Sequence, residues 1–369
     1  MLTYAEAYQN INSAVKAKAI DLFKIVAIAM VMTGVSLPVS SLFPLTHSVS
    51  AASAQELNVY SYRKPNLLKP FLDAYQAETG TKFNVVHAPK GLVQRLKSEG
   101  AGSPADVVFT VDVSRIAELA ESNLLAPIES SVIDSKVPSH LRADDDTWTA
   151  LSIRARVIVT SKDRVAEDAI KNIEDLANPE WKGRLCSRKG SHVYNRALLA
   201  SLVVHNGKEA AEKWAEAYVA NLARRPQGND RAQAKAIHAG ECDIALMNTY
   251  YFGKMANNDK NPEQKDWVDS LRLVFFNQDG RGQHINISGG GILKTSKRKD
   301  AARKLLEWLV SDKAQKIYAE VNYEYPVDST QAPSPDVAAW GEFKTDELDI
   351  EKISAATPIA QMIIDRTGW

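Results

Sequence analysis

Three tyrosines stand beside turn residues at the ends of apolar runs, where their phenols could do chemistry. Asn248-Thr249-Tyr250-Tyr251-Phe252-Gly253 follows the apolar segment at 243–246, at the strand end where open α/β sheets place their ligands. Tyr194 follows Leu185-Cys186-Ser187-Arg188 and the loop at 189–193, the equivalent place on a strand that could be its neighbour. Cys186 and Cys242 each precede a tyrosine, Tyr194 and Tyr250, by eight residues, so a bond between the cysteines would bring those two phenols near one another. A phenol ionises only near pH 10, so a phenolate at neutral pH needs a strong cation, and three of them would neutralise a trivalent one. Hard oxygen anions suit hard cations, and ferric iron is the trivalent candidate. Three phenolates leave coordination positions that a small oxyanion can fill if a guanidinium holds it in a fork of hydrogen bonds. Arg63, in the turn after an apolar strand at 57–60, is placed for that. The plain alternative is a surface arginine and tyrosines that serve only as strand and interface residues.

Composition narrows the classes of function. The 369 residues carry 45 Lys+Arg and 45 Asp+Glu, with 45% apolar residues and a pI near 7.1, so the chain can bury a core of about two domains. No basic field is available to hold nucleic acid. Two cysteines exclude a cysteine-rich zinc module, and the seven histidines lie apart without metal-site spacing. Ser288 lacks the glycine two places earlier that a nucleophile elbow needs, since Asn286 stands there, and no Walker loop or G-x-G-x-x-G follows the first strand. Gly289 to Gly291 lie in an apolar strand pattern, which points to a place of close backbone approach.

Alternating strand and helix signals supply the elements that must hold these residues. Strands at 57–60 and 83–86 flank a helix pattern through Leu67, Leu68, Phe71, Leu72 and Tyr75 that stops at Gly80. A helix at 92–97, a strand at 106–111 and a helix through Ile116, Leu119 and Ala120 follow. The same grammar resumes with strands at 157–160, 184–188 and 243–246 and helices at 195–205, 209–219 and 230–238. Apolar strands separated by helices predict parallel sheets covered on both faces, in two α/β lobes.

The first 54 residues differ. A lead with Lys16, Lys18 and Lys24 precedes the apolar run at 25–37, and Ala52-Ser53-Ala54 then offers a processing site before Gln55. This predicts an export signal, or a membrane anchor if the segment is retained. Export makes a Cys186–Cys242 disulfide the expectation, with two buried free thiols as the alternative.

Eight segments together resemble the ferric-iron-binding periplasmic proteins of ABC importers, the family that includes the FbpA, FutA and IdiA types. They are LNVYSYRKPNLLKPFLDAYQAETG, SPADVVFTVDVSR, SIRARVIV, LANPEWKGRLCSRKGSHVYN, NLARRPQGNDRAQAKAI, CDIALMNTYYFGKM, HINISGGGILK and AEVNYEYPV. The resemblance implies a two-lobed type II periplasmic binding protein with each lobe a mainly parallel sheet flanked by helices. It places one lobe over 55–153 with 287–325, the other over 154–286 with 326–369, and three hinge crossings between them. It assigns Fe3+ to the phenolates of Tyr194, Tyr250 and Tyr251, and a synergistic carbonate or bicarbonate to Arg63, with Arg154 as a supporting arginine. Where some relatives carry His-Tyr after the arginine, this chain has Lys64-Pro65, neither of which can ligate iron as those residues do; Tyr62 is a further candidate ligand. The implied partners are an ABC permease and its ATPase, the implied place the periplasm and the implied state a monomer; any link to the membrane runs through the permease or a retained anchor. An organic solute such as a polyamine is the alternative cargo, and a hydrolase or transferase the third reading.

Overall fold

The computed structural model describes residues 55–369 apart from 329, and the export segment read at 1–54 lies outside the described residues. The chain opens with the expected β-α-β unit, β1 (Glu56–Ser61), α1 (Pro65–Thr79) and β2 (Lys82–His87). α1 forms where the sequence supplies both ends: Pro65 stands in its first turn and Gly80, at φ 73°, closes it in the left-handed conformation. Its buried Leu68, Phe71, Leu72 and Tyr75 repeat at helical spacing and face the core. Next come α2 (Leu92–Glu99), β3 (Val107–Phe109), α3 (Val113–Glu121), β4 (Leu125–Ala126) and α4 (Ser131–Lys136).

β5 (Trp148–Ser161) follows, then β6 (Leu185–Cys186), α5 (Val193–Asn206), α6 (Lys208–Ala220), α7 (Asp230–His238), β7 (Ile244–Asn248), α8 (Thr249–Ala256), α9 (Glu263–Asp269), β8 (Leu271–Val274) and β9 (Ile285–Leu293). The chain continues through α10 (Lys299–Leu309), α11 (Asp312–Ile317), α12 (Pro335–Ala338) and α13 (Ile350–Thr367). Among the described residues no helix is long and apolar enough to cross a membrane.

The strand order is β2-β1-β3-β9-β5-β7-β6, with β4 on β9 and β8 on β5. β1 runs parallel to β2 and β3, and β6 to β7, while β5 and β9 run antiparallel to each partner. The fold is the expected α/β architecture, and its sheets are mixed because of these two strands. β5 is the spine: all 14 of its residues are buried. Its first half pairs with β9 and its second half lies between β7 and β8. The sequence signal showed only 157–160 because Ser152, Arg154 and Arg156 break the apolar run upstream. β6, expected over 184–188, keeps two residues, since the chain turns away after Cys186 to build the loop before Tyr194.

The three glycines of β9 answer to close approach by side chains as well as backbone. A Cβ on Gly290 would lie 2.8 Å from the Leu306 side chain of α10 and 3.0 Å from that of Leu151, and one on Gly291 would lie 3.0 Å from the Thr147 carbonyl oxygen. Gly290→Ala is expected to destabilise by about 1–3 kcal/mol through overpacking. The measurement is the urea midpoint, which should fall at unchanged slope; an unchanged midpoint would mean the leucines give way.

At the far end of the chain, α13 packs on α5, α6 and α3. Beyond it Trp369 grips the loop before Tyr194. Its carbonyl accepts from the Gly190 N–H at 2.9 Å and its indole N–H donates to Ser187 Oγ at 2.8 Å. Gly190 is obligatory there, because a Cβ would lie 2.6 Å from the indole ring.

Candidate metal centre

The three tyrosines come from the starts of two helices that spring from adjacent strands. Tyr194 sits in the first turn of α5, whose N-cap is His192; the His192 ring nitrogen Nδ1 accepts the Tyr194 N–H at 3.3 Å. Tyr250 and Tyr251 sit in the first turn of α8, directly after β7. Cys186 and Cys242 are joined, with Cα atoms 5.8 Å apart, and so tie together the strands that launch the two helices. Without that bond the β6–β7 pairing is only Leu185 on Ile244 and Cys186 on Ala245.

The phenols meet. The Tyr250 hydroxyl donates to the Tyr194 hydroxyl at 3.0 Å, and the rings of Tyr250 and Tyr251 lie 4.5 Å apart between centroids. Cations surround them on several sides. The guanidinium carbons of Arg154, Arg156 and Arg188 stand 5.7, 5.9 and 5.2 Å from the Tyr194 ring centre. Arg231 lies 5.0 Å from the Tyr251 ring and the Lys254 ammonium 5.7 Å from the Tyr250 ring. Burial, with Tyr194 and Tyr251 adding to it against Arg154, pushes the Tyr250 phenol well above its ordinary range. Tyr251 is raised as well, by burial and then by Asp230 and Tyr194. Burial, reinforced by Arg188 and Arg156, lowers His192 to about 3, so its imidazole is neutral. Lys254 is lowered to about 8 by burial, with Arg63, Arg231 and Lys64 acting the same way.

Two buried charge groups flank the phenols. In the first, Asp230 lies between Arg188 at 2.7 Å and Arg156 at 3.2 Å and accepts the Asn248 N–H at 2.9 Å. Arg156 is further held by Asn195 Oδ1 at 2.6 Å and Asn248 Oδ1 at 2.8 Å. Burial works to raise the Asp230 carboxyl, and the two arginines with the Asn248 amide overcome it and hold the group below its usual range. In the second, Arg63 pairs with Glu324 and donates to Ser288 Oγ at 2.8 Å. Arg154 donates to the same Ser288 Oγ at 3.2 Å and to the Ile287 carbonyl at 2.5 Å. Four buried guanidiniums thus face two buried carboxylates, an excess of two positive charges beside three phenols. A buried charge excess is costly until an anion answers it. An oxyanion would do so, whereas three phenolates formed on a trivalent ion would only cancel that ion's own charge.

Among the described residues no group of three or more His, Cys, Asp or Glu side chains could hold a metal ion. The oxygen donors gathered here are phenols, and phenolates are hard ligands of the kind that suit a hard cation. Tyr62 has other neighbours: its ring lies 4.5 Å from the Arg115 guanidinium, and among the described residues it has no side-chain hydrogen bond to the three tyrosines. Tyr62 instead lines a cavity of about 640 Å³ together with Val193, Arg115, Arg196 and Lys90. Val193 precedes Tyr194 in the chain, but none of the three tyrosines lines this cavity.

Reading the sequence alone missed Arg156, Arg188, Asp230 and Glu324. A signal existed for one of them: Arg154 and Arg156 sit two apart in an apolar strand, which puts both on one face, and arginines buried there need acceptors.

The family described as bacterial extracellular solute-binding protein matches residues 61–316. The chain is similar to iron uptake protein A1 of Synechocystis sp., 42% identical over 316 residues that cover 85% of this chain and 88% of that protein. It is similar to the major ferric iron-binding protein of Neisseria meningitidis, 31% identical over 74% of this chain and 81% of that one. Among solved structures, ferric iron-binding protein A of Mannheimia haemolytica in an open conformation superposes with a TM-score of 0.80 at 45% identity, covering 85% of this chain and 99% of that one. The Trichodesmium IdiA (FutA) structure with iron and citrate ligands gives a TM-score of 0.81 at 41% identity, with the same two coverages.

Proposed function

The chain belongs to the bacterial extracellular solute-binding proteins and, within them, to the family of the iron uptake and ferric iron-binding proteins, and from that premise we propose that it captures Fe3+ outside the cytoplasm and hands it to an ABC permease with its ATPase. Tyr194, Tyr250 and Tyr251 supply three phenolates, and Arg63 and Arg154 hold a synergistic carbonate or bicarbonate. The observation that carries this is the Tyr250 to Tyr194 hydroxyl contact of 3.0 Å within a cationic shell. Fe3+ with three phenolates is neutral, so the excess positive charge remains for the anion. The lobes over 55–153 with 287–325 and 154–286 with 326–369 would then close on the ion, with Arg63 arriving from the first and the tyrosines from the second. Closure excludes water and strengthens each contact. The protein acts as a monomer in the periplasm.

The relatives are named for iron binding and uptake, and no enzyme is among the ones compared. A polyamine would meet Arg154, Arg188, Arg231 and Lys254 where it needs carboxylates. A hydrolase or transferase would need a nucleophile and base that the cluster of phenols does not offer.

Purified apoprotein given ferric citrate and bicarbonate is expected to turn red-brown and to bleach with excess chelator or reductant. Colourless protein that takes up no ferric iron would refute the proposal. Burial raises the Tyr250 and Tyr251 phenols, so forming a phenolate on either of them releases a proton. The sign follows: apparent ferric affinity rises with pH and falls as pH drops, because protons compete for the ligand oxygens. Ferric loading followed across roughly pH 6 to 8, below the ordinary phenol range that Tyr250 and Tyr251 exceed, should show this slope. A flat profile would exclude phenolate ligation.

A further inference from the structure

Glu324 is an acidic residue to which neither the resemblance nor the proposed chemistry gives a task. It is 4% exposed, and the groups around it are equally enclosed: Arg63 3%, Arg154 3%, Ser288 2% and Ser152 1%. Its carboxylate pairs with Arg63 and accepts from the hydroxyls of Ser152 and Ser288, the latter at 3.4 Å. Ser152 and Ser288 are register partners across β5 and β9, and the next residue, Tyr325, bridges Ile153. Glu324 is therefore fixed against the strands that carry Arg154.

The two guanidiniums are only partly used. Each has five N–H donors. Arg63 spends two, on Ser288 and Glu324, and Arg154 spends two, on Ser288 and the Ile287 carbonyl. The Nε–H of each is buried without a partner among the described residues. Unpaired donors on two enclosed arginines call for an acceptor from outside. Their joint charge is two, and Glu324 already answers one. Lys254 and the Tyr318 ring, 5.4 Å from the Arg63 guanidinium, are the other groups around this knot.

We propose that Glu324 biases which charge class of anion enters beside the metal: as a resident carboxylate it cancels one of the two charges of Arg63 and Arg154, which shifts the balance away from a dianion and toward a monoanion such as bicarbonate. The inference rests on the reading that Arg63 and Arg154 hold an anion. Removing the charge but keeping the shape, in Glu324→Gln, leaves two uncompensated guanidiniums in the same low-dielectric place, where one more unit of charge weighs heavily. A dianion gains about twice what a monoanion gains from that change.

The experiment titrates metal-free protein with sodium bicarbonate or sodium sulfate at matched ionic strength, with chloride as reference, following intrinsic fluorescence. Wild-type protein is expected to bind bicarbonate more tightly than sulfate. In Glu324→Gln the ratio of sulfate to bicarbonate affinity should rise by roughly tenfold or more. Glu324→Asp, which draws the charge back by one methylene, should move the ratio in the same direction by a smaller factor, and serves as the test if the glutamine variant does not fold. A wild-type preference for sulfate, a ratio unmoved in a folded variant, or binding of neither anion would each overturn the inference. Because no metal is present, these outcomes are independent of the colour test: protein that shifts its anion ratio yet takes up no iron sustains the charge rule and sinks the ferric reading.

Discussion

Tyr250→Phe is expected to lower ferric affinity by more than about 100-fold, beyond what losing an outer partner of a metal ligand costs. Tyr250 is the central member of the three, touching the Tyr194 hydroxyl at 3.0 Å, with its ring tilted against that of Tyr251 at 4.5 Å between centroids. Phenylalanine removes only the oxygen, so the ring contact with Tyr251 and the start of α8 should survive. Burial already disfavours an ionised phenol at this place, which means that its oxygen repays its position only when a metal is bound. The same change at Tyr194 or Tyr251 should act in the same direction. Tyr62→Phe should change little, since that ring lies under Arg115. Competition against a chelator of known strength, together with the visible charge-transfer band, measures the effect. Retained affinity and an unaltered band in Tyr250→Phe would remove this residue from the centre.

Asp230→Asn should be the most damaging single change to stability. The carboxylate is fully enclosed and answers two guanidiniums at 2.7 and 3.2 Å. The amide keeps the volume but strands both arginines, and breaking a buried ion pair from one side costs about 3–5 kcal/mol. Only one acceptor oxygen remains, so the amide NH2 must face either Arg188 or the pair formed by Arg156 and the Asn248 N–H, and one side of the site loses its acceptor. Denaturant unfolding should show a large drop in midpoint, and metal binding should weaken in the fraction that remains folded. A midpoint within the spread of surface substitutions would mean that Arg156 is satisfied by Asn195 and Asn248 alone.

How much was legible from the residues follows from how local each cause is. α1 declared itself because its stop at Gly80 and its apolar spacing lie within one segment, and α5, α6 and α7 fell within two residues of their expected limits for the same reason. The cysteine-to-tyrosine spacing paired Tyr194 with Tyr250, and the structure has both the disulfide and the hydroxyl contact. The length of β5 stayed hidden because its polar residues look like the end of a strand until their partners are known. Those partners are Asp230, Asn195 and Asn248 for Arg156, and Ser288 and the Ile287 carbonyl for Arg154, each far along the chain. Glu324 was invisible on the same ground. A carboxylate in a polar stretch reads as solvated until Arg63, from the other end of the described chain, is placed against it.

The bond between Cys186 and Cys242 carries a practical lesson for production of the protein. A two-residue ladder is a weak fastening for two helices whose first turns bring Tyr194 and Tyr250 together. A covalent link across 56 residues restricts the unfolded chain and secures that fastening. Material made in a thiol-rich cytosol would leave the sulfurs unjoined, and its ligand oxygens would be held less firmly. The redox history of a preparation therefore enters any affinity measured with it, and thiol reagents are poor additives in such measurements because they attack the bridge.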